Sequence, residues 1–241
     1  MTHTYESLGA PGTPAPRPAG EELARRLTAG RVLIGLVVAI VAAIGLSLIT
    51  AVAFVAFGAD TDNHAFDFAA TFAGDAAIIA AAWFVTADLG RPTWATFGLR
   101  PFKPSALGWV AVAFVSYLVL AALYTQLVNP PPEDLPEQLG ADESTLLAIV
   151  TGVFVMVVAP FAEEFFFRGF LYQGLRNSKG VPLGALGSAV IFSGIHGAPD
   201  KFVPLLFLGI ALSLLFEKTR SLWPCIMLHA VNNALAFAVS F

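Results

Sequence analysis

The sequence predicts an all-α protein: a polytopic transmembrane helical bundle of about seven spans, or eight, with its N-terminus inside. Three observations carry this. Of 241 residues, 57% are hydrophobic and only 12% charged, too apolar a balance for an ordinary soluble domain. The apolar residues fall in successive runs, several near the twenty or so that a helix needs to cross a bilayer. The basic residues collect on alternate connections, the asymmetry that sets orientation. The same figures exclude other classes. A net charge of -4 with no basic run argues against a nucleic-acid partner. The single cysteine, Cys225, leaves no intrachain disulfide and no multi-cysteine metal site. It sits in an apolar stretch and reads as a small packed thiol.

Taken in order, residues 1–30 read as a disordered cytoplasmic tail. Pro11, Pro14, Pro16 and Pro18 stand there among Gly, Ala and Thr, and residues 21–27 suit a short surface helix. The first apolar run, 32–57, is uncharged and long enough to stay as an anchor rather than be cleaved as a signal peptide. Residues 58–63 form a short acidic turn. The second span, 67–87, carries Asp75 at mid-depth. A loop over 88–105 holds Pro92, Pro101 and Pro104, and the third span is 107–128. Residues 31–141 thus make an N-terminal set of transmembrane helices.

A Pro-rich acidic loop, 129–144, leads into the second unit, 142–241. Its first run, 145–175, would be about 46 Å long as one helix. That exceeds the ~30 Å hydrocarbon core, so it tilts or bends, with Pro160 the natural point. The runs 182–196 and 202–216 are short, and 222–241 closes the chain. With seven spans, Arg17, Arg25, Arg26, Arg31, Arg91, Arg100, Lys103, Arg176, Lys179, Lys218 and Arg220 share one side, and Lys201 stands on the other. This positive-inside pattern puts the N-terminus inside and the C-terminus outside.

Chemistry concentrates in the stretch Ala159-Pro160-Phe161-Ala162-Glu163-Glu164-Phe165-Phe166-Phe167-Arg168. An ionised group at the bilayer centre costs roughly 2.5–3.5 kcal/mol on insertion scales, so such groups have partners and tasks. Glu164 and Arg168 are four apart and share a helix face, with the acid N-terminal to the base. Glu163 points about 100° away and is left for something else. Two of the four histidines also lie in apolar segments, His196 and His229, the latter four residues before Asn233. Counted inward from the cytoplasmic ends, Glu163 is ~18 Å deep, His196 ~21 Å and His229 ~10 Å. Tilt leaves enough slack for one pocket. Two imidazoles and a carboxylate suit Zn²⁺, or a metal-free polarised water. Asn233 suits a developing oxyanion. Phe192, one turn before His196, reads as packing, and Phe165–Phe167 as lipid-facing or core bulk.

Glu163-Glu164-x-x-x-Arg168, then Phe192-x-x-x-His196, then His229-x-x-x-Asn233, in this order and on separate hydrophobic segments, resembles the CAAX protease and bacteriocin-processing family. Its members are intramembrane endopeptidases related to the type II CAAX prenyl endopeptidase, also called abortive-infection or lysostaphin-resistance-like proteins. The resemblance covers about residues 142–238. It implies a multi-pass protein of the bacterial plasma membrane that hydrolyses a peptide bond of a lipidated or membrane-associated peptide or protein. By the same resemblance Glu163 activates the water, and Glu164 and Arg168 hold the pocket in shape. His196 and His229 orient the water or, with Glu163, ligate a metal such as Zn²⁺. Asn233 steadies the oxyanion. The implied partners are that substrate and the lipid bilayer. A non-catalytic scaffold or bacteriocin-immunity protein on the same fold is the alternative. A transporter using Asp75, Glu163 and the histidines as a proton or cation path finds no paired broken helices in matching halves to support it.

Overall fold

The computed structural model describes residues 19–61, 64–129 and 145–239, and over these it is all-α. Five helical runs are long and apolar enough to cross a membrane: Ala29–Ala56, His64–Ala87, Ala106–Val128, Thr145–Ile195 and Phe202–Thr219. We call the short first helix Ala19–Arg25 α1, and the first three runs α2, α3 and α4. The fourth run is not one rod. Gly180 adopts φ 79°, ψ 173°, a left-handed conformation that glycine reaches without a Cβ penalty. The chain breaks there into α5 (145–179) and α6 (181–195). Phe202–Thr219 is α7, and the 17-residue Trp223–Val239 is α8. With Thr145–Ile195 counted as two arms and α8 added, the seven arms expected from hydropathy are all present.

The tail expected over 1–30 is only partly tested, since residues 1–18 lie outside the described residues. Within the remainder, α1 is packed rather than afloat. Leu23, Ala24 and Leu27 are buried, and Asn177 of α5 donates to the carbonyls of Ala24 and Leu27. Thr28 then caps α2 by accepting from the Arg31 N–H, the usual role of a threonine at that position. The connection 88–105 departs further from a plain loop. A 3₁₀ turn, Trp94–Phe97, inserts Phe97 into the core against Trp83 and Phe165. Gly98 accepts from the Leu222 N–H, and the Arg100 carbonyl from the Ser221 hydroxyl. The acidic loop 129–144 is outside the described residues.

Charges gather at one end of the bundle. Arg31 pairs with Asp88 at 2.7 Å, Arg100 with Glu21, and Arg176 and Arg220 both with Glu217 at 2.6 Å. These cations come from connections that the hydropathy reading places on one side. Their meeting is the structural counterpart of that asymmetry.

Two π-helical turns interrupt α5, at Phe154–Val158 and Phe167–Tyr172. The first immediately precedes Pro160, where a bend was expected. Proline lacks the N–H and crowds the carbonyl one turn back, and the widened turn absorbs both. Each π turn frees carbonyls, and side chains take them up. Gln173 donates to Gly169 O and to Thr96 O, and Ser188 to Phe167 O. Around the second turn, Phe165, Phe166, Phe167 and Phe170 are all buried, so the phenylalanine run is core and not lipid-facing.

Helix-to-loop contact here depends on Gly169. A Cβ on it would stand 2.6 Å from the Phe97 carbonyl oxygen, a backbone atom that cannot rotate away. Gly169→Ala is therefore expected to destabilise the protein by about 1–3 kcal/mol. Thermal unfolding in detergent would check this, and an unchanged midpoint would contradict the packing described.

Candidate active site

The predicted site residues come from α5, α6 and α8 and meet inside the bundle. Glu163 and Glu164 lie on the α-helical segment between the two π turns, Ala159–Phe166. Adjacent helical residues diverge by about 100°, so the two carboxylates serve different partners. Glu164 is fully buried and pairs with fully buried Arg168, Oε1 to Nη1 at 2.7 Å. The Arg168 guanidinium lies 4.6 Å from the centroid of the Phe192 ring and also donates to the Gly209 carbonyl. Phe192 is thus more than filler. It stacks the arginine and packs edge-on against both His196 and His229, at 4.7 and 5.9 Å.

Glu164 has a second partner that spacing alone could not reveal. The same Oε1 accepts from His229 Nδ1 at 2.9 Å. A carboxylate can only accept, so His229 carries a proton on Nδ1, and in the neutral imidazole Nε2 is then the acceptor. His196 reaches the same tautomer by another route. It caps the C-terminus of α6, and its Nδ1 donates to the Phe192 carbonyl four residues back at 2.6 Å. Both free lone pairs are aimed at one atom: Glu163 Oε2 lies 3.9 Å from His196 Nε2 and 3.8 Å from His229 Nε2. These separations are too long for direct hydrogen bonds. Oε2 is itself enclosed with no hydrogen-bond partner. A water has two hydrogens, so one seated between them donates to Oε2 and to one of the two Nε2 atoms.

The side chains of Glu163 and His196 are 20% and 30% exposed, whereas that of His229 is 4%. The opening of the pocket is therefore on the Glu163–His196 side, with His229 at its back.

Asn233 is committed differently from the oxyanion role that the resemblance implies. Its Nδ2 donates to the Val155 carbonyl at 2.9 Å. In the π register the donor for that carbonyl would be the nitrogen of residue 160, which is proline and has no hydrogen. Asn233 replaces the missing N–H and ties α8 to α5 at the level of the site. One Nδ2 hydrogen is spent in this way and the other remains to be used. Asn232 donates to Asn233 Oδ1.

The donor types of Glu163, His196 and His229 are those of catalytic zinc sites. Ligands about 2.1 Å from a tetrahedral ion lie about 3.4 Å apart, closer than the 3.8 and 3.9 Å found. Among the described residues no group of three His, Cys, Asp or Glu side chains is drawn together so as to hold an ion. Cys225 is buried and packed, with its thiol toward the Leu212 carbonyl.

Residues 145–235 match the family described as Type II CAAX prenyl endopeptidase Rce1-like. The match agrees with the resemblance read from the three motifs and includes every residue just placed in the pocket. The first 144 residues lie outside it. No curated protein and no solved structure matches the chain.

Proposed function

We propose that this integral membrane protein is an endopeptidase that hydrolyses a peptide bond of a membrane-associated or lipidated substrate. The observation that supports it most is the convergence of two imidazole lone pairs on one unpartnered carboxylate oxygen. In this reading a water donates one hydrogen to Glu163 Oε2 and the other to a histidine Nε2, which turns its own lone pair toward the substrate carbonyl. Glu163 takes the proton as the C–O bond forms and returns it to the leaving amine. The Nδ1 bonds of His196 and His229 keep both rings in the accepting tautomer throughout. The remaining N–H of Asn233 is the donor nearest in kind to what the tetrahedral oxyanion requires. The substrate enters from the exposed Glu163–His196 side, on the cytoplasmic half of a bacterial plasma membrane if the basic end faces inward.

The experiment compares cells carrying the wild type with cells carrying Glu163→Gln at matched expression, mapping the N- and C-termini of membrane and lipidated proteins by mass spectrometry. Termini found only with the wild type would name the substrate and place the cut. If Glu163→Gln instead rescues a deletion phenotype while no terminus differs, the scaffold or immunity role replaces the enzyme.

A Zn²⁺ ion on Glu163, His196 and His229 would polarise the same water and carbonyl. The steps above use only the chain's own groups, because the three are spread slightly wider than zinc ligands. Dialysis of the purified protein against a chelator is accordingly expected to leave cleavage intact. Loss of cleavage, restored by Zn²⁺ alone, would seat the ion on those three residues.

A further inference from the structure

Away from the pocket, α4 and α7 lie side by side and antiparallel. Tyr124, near the end of α4, donates to the Asp200 carbonyl just before α7 at 2.6 Å. At the other end the Lys218 ammonium stands 5.4 Å from the centroid of the Trp109 ring. Between these two contacts the helices leave a groove of about 330 Å³, a volume within the range of small-ligand sites. Trp109, Ala113 and Leu120 line one wall, and Phe207, Ala211 and Lys218 the other, each set on one face of its helix. Trp109 and Leu120 are exposed, so the groove opens outward to the bilayer. It is separate from the pocket. Gly209, whose carbonyl accepts from Arg168, lies about 180° around α7 from Lys218.

Length and charge together select an occupant. From Trp109 to Leu120, and from Lys218 to Phe207, is about 16 Å along the helix axes. That is close to half of the ~30 Å hydrocarbon core, the depth of one leaflet and so of one acyl chain. The charge lies at the headgroup end. No carboxylate lines the groove, and Lys218 is the charged residue in its lining. Lys218 is exposed and, among the described residues, pairs with no carboxylate, since neighbouring Glu217 is taken by Arg176 and Arg220. Exposed Lys103 stands on the connection into α4, at the same end. Trp109 sits at the level where indole rings gather at a membrane surface. A basic pocket between membrane helices, at the cytoplasmic surface, holds anionic headgroups, and here an apolar slot runs inward from it.

We propose that the groove between α4 and α7 binds a phospholipid of net negative charge, with one acyl chain along the groove and the phosphate on Lys218. The site stands independently of the endopeptidase reading, because its test measures binding. The full-length protein in neutral detergent is titrated with phosphatidylglycerol or with phosphatidylcholine of the same chains, and the adducts are counted by native mass spectrometry. The wild type is expected to bind phosphatidylglycerol about fivefold more tightly or better, the worth of one lysine at a membrane surface. Lys218→Gln is expected to bring the two lipids level. Lys179→Gln removes the same charge from an exposed residue on another connection and is expected to keep the preference. Ala211→Phe, which fills the groove, is expected to remove the tight adduct of either lipid. A wild type with no preference would overturn the site. So would a preference that survives Lys218→Gln, an equal loss with Lys179→Gln, or adducts that persist in Ala211→Phe. If a palmitoylated peptide displaces phosphatidylglycerol and binds as well to Lys218→Gln, the groove holds a substrate's lipid anchor and the phospholipid assignment falls.

Discussion

Glu163→Gln is expected to lower the rate of peptide cleavage by about 10²–10⁴-fold, the usual contribution of a positioned general base, while leaving the protein folded. Among the described residues Glu163 lies near His196 and His229 and pairs with no lysine or arginine, and its Oε2 has no hydrogen-bond partner. The amide is almost the same size, so the packing of α5 is retained. What changes is basicity, because an amide cannot take a proton from water. Thermal unfolding should therefore stay near the wild type while turnover collapses, and KM should move far less than kcat. A variant that folds normally and cleaves at the wild-type rate would remove Glu163 from the chemistry. If His196→Ala and His229→Ala also kept full activity, the endopeptidase reading would fall with it.

The sequence made the spans and the three motifs legible because both depend on local pattern. Apolar runs mark helices of span length whatever their neighbours, and the ends of 107–128 and 202–216 fall within a few residues of α4 and α7. The separation of Glu163 from Glu164 also follows from helical geometry alone. The rest depends on contacts across the bundle. Nothing local says that the Glu164 oxygen bound to Arg168 also orients His229, since the two lie 65 residues apart. Likewise the loop 88–105 reads as polar and proline-broken, and Phe97 becomes core only once Trp83 and Phe165 close around it. The role of Asn233 was recoverable in principle. A proline at 160 must leave a carbonyl without its donor, but which carbonyl depends on the π register, and pattern alone does not give that.

The second large effect concerns stability, and its target is Arg168. Arg168→Ala is expected to destabilise the protein by about 3–5 kcal/mol, because it strands the Glu164 charge in a wholly buried site. The guanidinium also leaves the face of Phe192, forfeiting a stacking contact that orients the His196 and His229 rings. The unfolding midpoint in detergent should fall by about 6–20 °C. The informative comparison is the double variant Glu164→Gln with Arg168→Met. With both charges removed and the volume kept, no ion is left buried, and much of the lost stability should return. Activity should not return with it. His229 Nδ1 would then face a neutral amide instead of a carboxylate, which weakens the hold on its tautomer and the basicity of Nε2. The cost expected for losing such a carboxylate–histidine contact is about 10–100-fold. A double variant that regains both stability and activity would reduce Glu164 to the partner of Arg168. One that regains stability alone separates its two tasks, neutralising the arginine and orienting the histidine.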